Sequence, residues 1–463
     1  MGCCGGGGRE RCSCRLGEEN EHRRRDLIHE SIIKDPALAP EGHRKIDWVA
    51  QHSPVLNAIS KDQLADGSLR GRRIAMTIHL EAKTAYLALL LANAGAEVTV
   101  AGSNPLSTQD DVCAALAERG VRVYATHDPI DEEFESYLHQ TLETRPEILI
   151  DDGAELVGRL VDAHPELVGE VIGASEETTT GILKLRAMEE EGALPFPVLA
   201  ANDARMKHLF DNRYGTGHST LVAVLSNTNL FISGKAVVVM GFGWVSRGLA
   251  KYADGLGARV IVCEPDPVKL LEAYAEGYEV MNSLQAAEAG DVFITGTGNL
   301  KVLGKAHFER MKSGVLLANA GHYDHEFDLA ALREMAVETR EVRENVTEYE
   351  FPDGRRFHVL ARGRLVNIAA GDGHPVEIMD LTFAVQALAA HHLAKNAAGM
   401  SPGLHTLPAE IDDLVARTKL ASLDVEPEEL TEEQIRYQKS WRSERPAAGH
   451  RLPAEDKEHK PDD

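Results

Sequence analysis

A glycine-rich turn is the first feature of the sequence that indicates chemistry. In GKAVVVMGFGWVSRGLAKYADG, Gly241 and Gly243 follow an apolar run. Gly241 allows a tight turn, and Gly243 lets the backbone approach a pyrophosphate at the N-terminus of the next helix. Ser246 replaces the third glycine of G-x-G-x-x-G, and we expect its small side chain to be tolerated. Glu264 ends the next apolar run, where a carboxylate binds both ribose hydroxyls and repels a 2′-phosphate. The turn therefore predicts an NAD site, and the alternative is a glycine turn without a ligand.

Polar clusters follow several other apolar runs. They are MTIHLEAKTA, ILIDDGAEL, GASEETTTG, VLAANDARMKHLFDNRYG, NAGHYDHE and LVNIAAGDGHPVEIMD. Any one of them has a structural alternative, because Ser175 or residues 177–180 could cap a helix and residues 151–153 could form a turn. Six such clusters together with a dinucleotide loop predict one shared active site.

Strand-like and helix-like runs alternate along most of the chain. Strands are predicted at 73–79, AEVTVAG, VRVYAT and ILIDDG, and then at AVVVMG, RVIVCE, VFITG and VLLANAG. This alternation predicts an α/β fold with two doubly wound parallel-sheet domains. The segment near 204–234 is the candidate hinge between them. After Gly373 the chain becomes helical (PVEIMDLTFAVQALAAHHLAKNA), and a helical C-terminal tail follows.

Composition excludes several classes of function. The formal charge of −24 disfavours binding to nucleic acid or to an anionic membrane. The longest apolar run, TAYLALLLANAGA, is too short to span a bilayer. Four of the six cysteines lie in MGCCGGGGRERCSC, within residues 1–25, which we predict to be a disordered leader. Cys113 and Cys263 are expected to be reduced core thiols of a cytoplasmic protein.

From about residue 26 to 441 the sequence resembles the S-adenosylhomocysteine hydrolase family. The resemblance rests on SEETTTG (175–181), on Lys207–Asn212 with Tyr-Gly after it, on the glycine loop with Glu264, on NAGH (319–322) and on GHP (373–375). HLEAKTA, SNPLSTQDD and AAGDGHPVEIMD are more similar to its archaeal and bacterial branch than to its animal branch.

The resemblance implies that the two domains bind different ligands. Residues 26–213, completed by 374–412, would hold the nucleoside; residues 214–373 would form the Rossmann NAD domain; residues 413–463 would be a C-terminal extension. The implied reaction is the hydrolysis of S-adenosyl-L-homocysteine in the S-adenosylmethionine cycle of one-carbon metabolism. It proceeds by 3′-oxidation, β-elimination, addition of water and reduction, with tightly held NAD. A cytoplasmic homotetramer is implied as well.

The resemblance also implies a role for each site residue. Lys207 and Asp211 would take the 3′-hydroxyl proton, and a lysine among polar groups can have a lowered pKa. Glu177 and Asn202 would hold the ribose, and Asp152 and His79 would serve C4′ and C5′. His322 and His374 would lie in the closed site, the latter near the purine. NAD would contact Thr178, Thr179, Thr180, Asn212, Gly241, Gly243, Trp244, Val245, Glu264, Asn299, Ala320, Gly321, His322 and Asn367. No metal is expected, although the run 322–325 offers the alternative of a metal site.

Three departures from the family pattern bear on function. Thr216 stands where animal members have a cysteine. Near the C-terminus, Lys460-Pro461-Asp462 stands in place of the family's Lys…Tyr tail that reaches a neighbouring NAD, and the terminal tyrosine is missing.

The third departure lies beside the purine and leaves the identity of the purine open. Animal members read HMTxET, whereas here His79 is followed by Leu-Glu-Ala-Lys-Thr, and Asp372 replaces a methionine that borders the base. Glu81 or Asp372 could accept from the 6-amino group of adenine, whereas Lys83 could donate to the 6-carbonyl of hypoxanthine, with Thr84 beside them. One alternative is therefore an S-inosyl-L-homocysteine hydrolase. Two further alternatives are a silent NAD-binding regulator and a simple dehydrogenase.

Overall fold

The computed structural model describes residues 30–441, which form two β-sheets flanked by helices. The predicted leader and the last residues of the C-terminal extension, with Lys460-Pro461-Asp462, lie outside the described residues.

The strands in chain order are β1 (Arg73–Ile78), β2 (Glu97–Gly102), β3 (Arg122–Tyr124), β4 (Ile148–Asp151), β5 (Gly173–Glu176), β6 (Pro197–Leu199), β7 (Ala236–Met240), β8 (Arg259–Cys263), β9 (Glu279–Val280), β10 (Val292–Thr295), β11 (Leu316–Asn319), β12 (Glu338–Arg343), β13 (Val346–Glu350), β14 (Arg356–Leu360) and β15 (Gly403–His405).

The helices in chain order are α1 (Ala39–Gln51), α2 (Pro54–Asp62), α3 (Ala82–Asn93), α4 (Asp110–Glu118), α5 (Asp131–Glu143), α6 (Glu155–Ala163), α7 (Thr179–Glu190), α8 (Arg205–His208), α9 (Thr216–Thr228), α10 (Trp244–Gly255), α11 (Pro267–Ala275), α12 (Ser283–Ala289), α13 (Lys305–Phe308), α14 (Leu329–Met335), α15 (Val366–Ala369), α16 (Val376–Asn396), α17 (Ala409–Ser422) and α18 (Glu432–Lys439).

The first sheet is wholly parallel, with strand order β15-β6-β5-β4-β1-β2-β3. Its central strands are buried apolar runs, as expected for strands covered on both faces. Strand order reverses at β1, which lies between β4 and β2. Ligands of such sheets bind at the carboxyl ends of the strands beside this reversal.

The second sheet has the order β12-β13-β14-β11-β10-β7-β8-β9 and reverses at β7. Its strands from β14 to β9 are parallel, which confirms the predicted fold class. At one edge, however, β12, β13 and β14 pair antiparallel. The sequence analysis missed this edge because β12 (ETREVR) is exposed along its whole length and has no apolar run.

The chain between the two sheets is helical. It runs through α8, a π-helical turn (Asp211–Gly215) and α9. After the second sheet, α16 returns to the first sheet and packs beside α2, α3, β4 and β5. β15 then pairs with β6. The hinge and the domain bounds stay predictions.

The chain divides into two compact units, of which the first holds both sheets and the second, the C-terminal unit, begins at Leu420. Within its described part, α18 has no buried residue. Over residues 30–441, no helix has the length and apolar character needed to cross a membrane.

Candidate active site

The carboxyl ends of neighbouring parallel strands bring the predicted side chains together. His79 follows β1, Asp152 follows β4 and Glu177 follows β5 in the first sheet, and His322 follows β11 in the second. All four line one cavity of about 380 Å³. The predicted residues that line it are His79, Glu81, Lys83, Thr84, Asp152, Glu177, Thr178, Thr179, Thr180, Lys207, Asp211, Asn212, Gly243, Trp244, Val245, Ala320, Gly321, His322 and His374.

Lys207 lies at the centre of the first group of charges. Its Nζ donates to Asn212 Oδ1 at 2.8 Å and to Asp211 Oδ1 at 3.2 Å, and it lies 3.4 Å from Glu177 Oε1. Lys207 is only 4% exposed, so the ammonium depends on these partners instead of water. Helix α16 supports the acids from behind, because Gln386 Nε2 donates to Glu177 Oε2 at 2.6 Å.

Burial and neighbouring charges shift the pKa values of Glu177, Asp211 and Lys207 in different directions. Burial raises the pKa of Glu177 to about 8, although Lys207 opposes the shift. Burial alone would raise the pKa of Asp211. Lys207 and His374 lower it by more, so the pKa falls below its ordinary value. Burial alone would lower the pKa of Lys207, yet Asp211 and Glu177 together raise it. The expected lowering is therefore wrong for this arrangement, because two carboxylates face the ammonium.

A second group surrounds Asp152. His79 Nε2 lies 3.6 Å from Asp152 Oδ2, and His322 Nδ1 lies 3.8 Å from Asp152 Oδ1. Ser103 Oγ donates to Asp152 Oδ2 at 2.8 Å. Burial lowers the pKa of His79 to about 4, partly offset by Asp152, so its imidazole is neutral near pH 7. The group holds a carboxylate and a neutral imidazole side by side, as proton transfer requires. The absence of a metal stays a prediction.

The wall of the cavity at the start of α3 carries the groups predicted to contact the purine. Lys83 Nζ lies 2.8 Å from Glu81 Oε2 and donates to the backbone oxygen of Asp372 at 2.9 Å. Both side chains of the ion pair are 9% exposed. Asp372 itself is exposed and lines a neighbouring cavity, not this one. The carboxylate of Glu81, an acceptor, and the ammonium of Lys83, a donor, therefore lie side by side on this wall.

The turn after β7 fits a dinucleotide. Gly241 has φ +94°, and at Gly243 a Cβ would meet nothing within 4 Å, so the backbone is open to a ligand. No side chain caps the N-terminus of α10, whose first amides face this space. Glu264 accepts from the amide of Phe242 at 2.6 Å, which fixes the carboxylate beside the turn. Among the described residues, buried Asn367 Oδ1 has no hydrogen-bond partner, as expected of a ligand contact. These residues fit NAD.

The structure does not place every predicted residue on the cavity wall. Gly241, Glu264, Asn299, Asn367, Asn202 and Asp372 are not among its lining residues. Asn202 lies behind the wall, where its Oδ1 accepts from Asn212 Nδ2 at 3.1 Å. It therefore orients a residue that holds Lys207.

Sequence reasoning missed a loop and two buried acids. Thr297 and Gly298 follow β10 and line the cavity, and Glu326 accepts from both of their amides. In the first sheet Glu176 accepts from Gly153 N at 2.8 Å and from Thr178 N at 2.9 Å, which ties two strand-end loops together. For Glu176 the signal in the sequence was an acid in GASEETTTG, directly before the predicted Glu177. Its burial at the end of β5 is seen only in the structure.

The loop after β11 meets the first domain at Gly153. There φ is +85°, and a Cβ would stand 2.9 Å from His322 Nε2 and 3.2 Å from Tyr323 Oη. Tyr323 Oη donates to Glu155 Oε1 at 3.0 Å and accepts from Lys184 Nζ at 2.6 Å. The missing side chain of Gly153 thus allows His322 to approach Asp152.

Comparison with known proteins agrees with this geometry. The family described as S-adenosyl-L-homocysteine hydrolase matches residues 30–163, and its NAD binding domain matches residues 212–373. An adenosylhomocysteinase of Thermococcus kodakarensis is 53% identical over 416 residues, which cover 90% of this chain and 99% of the relative. An S-inosyl-L-homocysteine hydrolase of Methanopyrus kandleri is 51% identical over 413 residues, which cover 89% and 97% of the two chains. An adenosylhomocysteinase of Thermotoga maritima is 51% identical over 402 residues, covering 86% and 99%.

Proposed function

The chain belongs to the S-adenosyl-L-homocysteine hydrolase family, and on that premise we propose that it hydrolyses S-adenosyl-L-homocysteine reversibly to adenosine and L-homocysteine. One observation carries the proposal. Two proton-handling groups, one around Lys207 and one around Asp152, line the same cavity as the dinucleotide turn. A simple dehydrogenase needs only one such group, and a silent regulator needs neither.

Bound NAD would supply the redox chemistry by oxidising C3′ at the start of the cycle and reducing it at the end. Gly243 and the first turn of α10 would hold its pyrophosphate, and Glu264 its adenosine ribose. Thr178, Thr179 and Asn367 would contact the rest of the cofactor.

Lys207 would take the proton of the 3′-hydroxyl. An ammonium must first lose a proton before it can act as a base, and Glu177, 3.4 Å away, can hold that proton because burial raises its pKa to about 8. Without substrate, Asp211 and Glu177 raise the pKa of Lys207 and oppose this transfer. Substrate that excludes water would favour the neutral pair, because two opposite charges in a dry cavity are costly. Asp211 stays ionised and keeps the lysine in place.

Asp152 and His79 would act at the other end of the ribose. The ketone at C3′ acidifies the proton at C4′, and Asp152 would take it. The sulfur at C5′ leaves as a thiolate that needs a proton, which would reach it through His79, 3.6 Å from Asp152. Water then adds at C5′ by the reverse of these transfers, and reduction at C3′ completes a net hydrolysis.

A specific observation favours S-inosyl-L-homocysteine as a second candidate substrate. The Lys83 ammonium uses one proton on Glu81 and one on the Asp372 backbone, which leaves a third for the 6-carbonyl of hypoxanthine. In Lys83→Met we expect kcat/KM for the inosyl substrate to fall by one to two decades, because a buried carbonyl loses its donor at about 1–3 kcal/mol. The adenosyl substrate should change much less. Equal losses would show that Lys83 only pairs with Glu81.

The proposed function is tested on purified protein without added NAD. We expect the protein to carry NAD and to release homocysteine from the adenosyl or inosyl thioether without net formation of NADH. Protein that binds no NAD at any concentration, or that produces NADH steadily with substrate, would contradict the proposal.

Assembly and location complete the proposal as a cytoplasmic homotetramer. Exposed apolar side chains on one helix, Val268, Leu271 and Tyr274 of α11, support an interface between copies. The buried free thiols of Cys113 and Cys263 suit a reducing compartment. Light scattering at several concentrations tests the assembly, and a monomeric mass would contradict it.

A further inference from the structure

Ser107 contacts the imidazole of His79 but is not among the residues that line the cavity. His79 follows β1 and Ser107 lies in the loop after β2, and these strands pair in parallel up to Ile78 and Gly102. His79 Nδ1 is 2.9 Å from Ser107 Oγ. Ser107 is 4% exposed, so water does not compete freely for this contact.

The hydroxyl of Ser107 has a second partner, which decides the direction of the hydrogen bond. Ser107 Oγ lies 2.9 Å from the backbone oxygen of Asn104, which can only accept. If Ser107 donates to Asn104, its oxygen accepts from a proton on His79 Nδ1, and both hydrogen bonds are made. If Ser107 donates to His79 instead, the hydroxyl bond to Asn104 is lost. The remaining imidazole proton would then point at Asp152, 3.6 Å away, beyond hydrogen-bond distance.

We propose that Ser107 is a positioning residue that holds His79 in the tautomer protonated at Nδ1, with the lone pair of Nε2 facing Asp152 and the cavity. The backbone of His79 is fixed as well, because Thr84 Oγ1 donates to its carbonyl oxygen at 2.6 Å. The low pKa of His79 supports a neutral ring with one proton to place. The charged and titratable groups that face the ring are Asp152, His322, His374 and Asp211.

The consequence for catalysis rests on the proposed function. His79 would begin the cycle unable to protonate the leaving sulfur, because Nε2 carries no proton. Asp152 takes the proton from C4′ and passes it to Nε2, and Nε2 gives it to the sulfur as the C5′–S bond breaks. One proton thus moves from carbon to sulfur, and both side chains return to their starting states. His79 Nε2 and Asp152 Oδ2 are 3.6 Å apart, slightly beyond hydrogen-bond distance. Catalytic contacts are often this long in an enzyme without substrate and shorten when substrate binds.

Nitrogen NMR of histidine-labelled protein tests the tautomer without any substrate. The chain has 20 histidines, so the His79 signals are assigned by their loss in His79→Gln. At pH 7 we expect Nδ1 to be protonated and Nε2 to be bare. Ser107→Ala should shift the ring toward the Nε2-protonated form, and Ser107→Thr, which keeps the hydroxyl, should restore the first form. A wild-type signal protonated at Nε2, or an unchanged tautomer in Ser107→Ala, overturns the proposal.

Turnover provides the second readout. In Ser107→Ala we expect kcat to fall about tenfold with little change in KM, since one net hydrogen bond is lost and the substrate contacts remain. Ser226→Ala is the matched control, because its hydroxyl donates to Val222 on an exposed helix face. A fall in kcat that Ser107→Thr does not rescue, with the tautomer unchanged, also overturns the proposal. If no thioether is hydrolysed at all, the proposed function fails, but the NMR result still decides the tautomer.

Discussion

Lys207 shows how a buried charge is kept functional. The ammonium is buried, and two carboxylates and an amide oxygen replace the water it has lost. Such a cluster is poor evidence for stability, because apolar residues of similar volume would fill the space at least as well. Under the proposed function its value would lie in proton transfer, since one environment shifts the pKa values of Glu177 and Asp211 in opposite directions.

Replacing Lys207 with alanine should slow turnover by about two to four orders of magnitude, which is the usual contribution of a positioned proton-transfer group. NAD should still bind, because Lys207 belongs to the nucleoside side of the cavity. The measurement is single-turnover formation of enzyme-bound NADH after substrate is added. Lys61→Ala, an exposed lysine on α2, is the control and should behave as wild type. Unchanged turnover in Lys207→Ala would rule out the assigned role.

The sequence predicted most of the charged groups that line the cavity, but not the loop of Thr297 and Gly298 and not most of the supporting groups behind the wall. Lys207, Asp211 and His322 stand in the motifs that carry the family resemblance. Ser107 and Gln386 act only through another side chain, and their positions follow from the pairing of distant strands and the return of α16. Sequence periodicity contains no information on such contacts.

At the scale of elements, the site is made by turns that end parallel strands. Each apolar run predicted a strand because both faces of a parallel sheet are covered. The exposed β12 and the short β15 have no such pattern, and only tertiary contacts define them. The turn after β4 and the turn after β11 approach each other closely at Gly153. The backbone conformation of this turn decides whether His322 can approach Asp152.

Gly153→Ala should abolish most activity while costing little more stability than an ordinary glycine substitution. Alanine at φ +85° costs about 1 kcal/mol of backbone strain. In addition, its Cβ would stand 2.9 Å from His322 Nε2 and push the loop after β11 away from Asp152.

Gly192→Ala is the matched control, because it has φ +70° and nothing within 4 Å of the added atom. Both variants should lose a similar free energy of unfolding in denaturant titrations, but only Gly153→Ala should lose kcat. Equal activity in the two variants would show that the close approach at Gly153 does not matter for catalysis.

For the whole molecule, the important feature is that two separate sheets each place their strand reversal against one cavity. The first sheet supplies acids, a lysine and a histidine, and the second supplies the glycine turn and His322. The linear sequence predicted both sheets, since each is built from local βα units. Only the family resemblance implied that residues 374–412 complete the first domain, because α16 and β15 join the first sheet through contacts across the whole chain.

The C-terminal unit provides the last prediction. Every residue that lines the cavity lies between Ile78 and Phe383, and all residues from 426 to 441 are exposed. A chain that ends at Val425 should therefore unfold within about 2 °C of the full chain, because residues 426–441 bury almost no apolar area. It should also purify with its NAD. Truncation before Ala409 is the contrasting variant, since it removes Ile411 and Val415, which are buried, and should lower the unfolding midpoint clearly. A chain ending at Val425 that folds normally but loses NAD would contradict the prediction and show that the tail is needed to retain the cofactor.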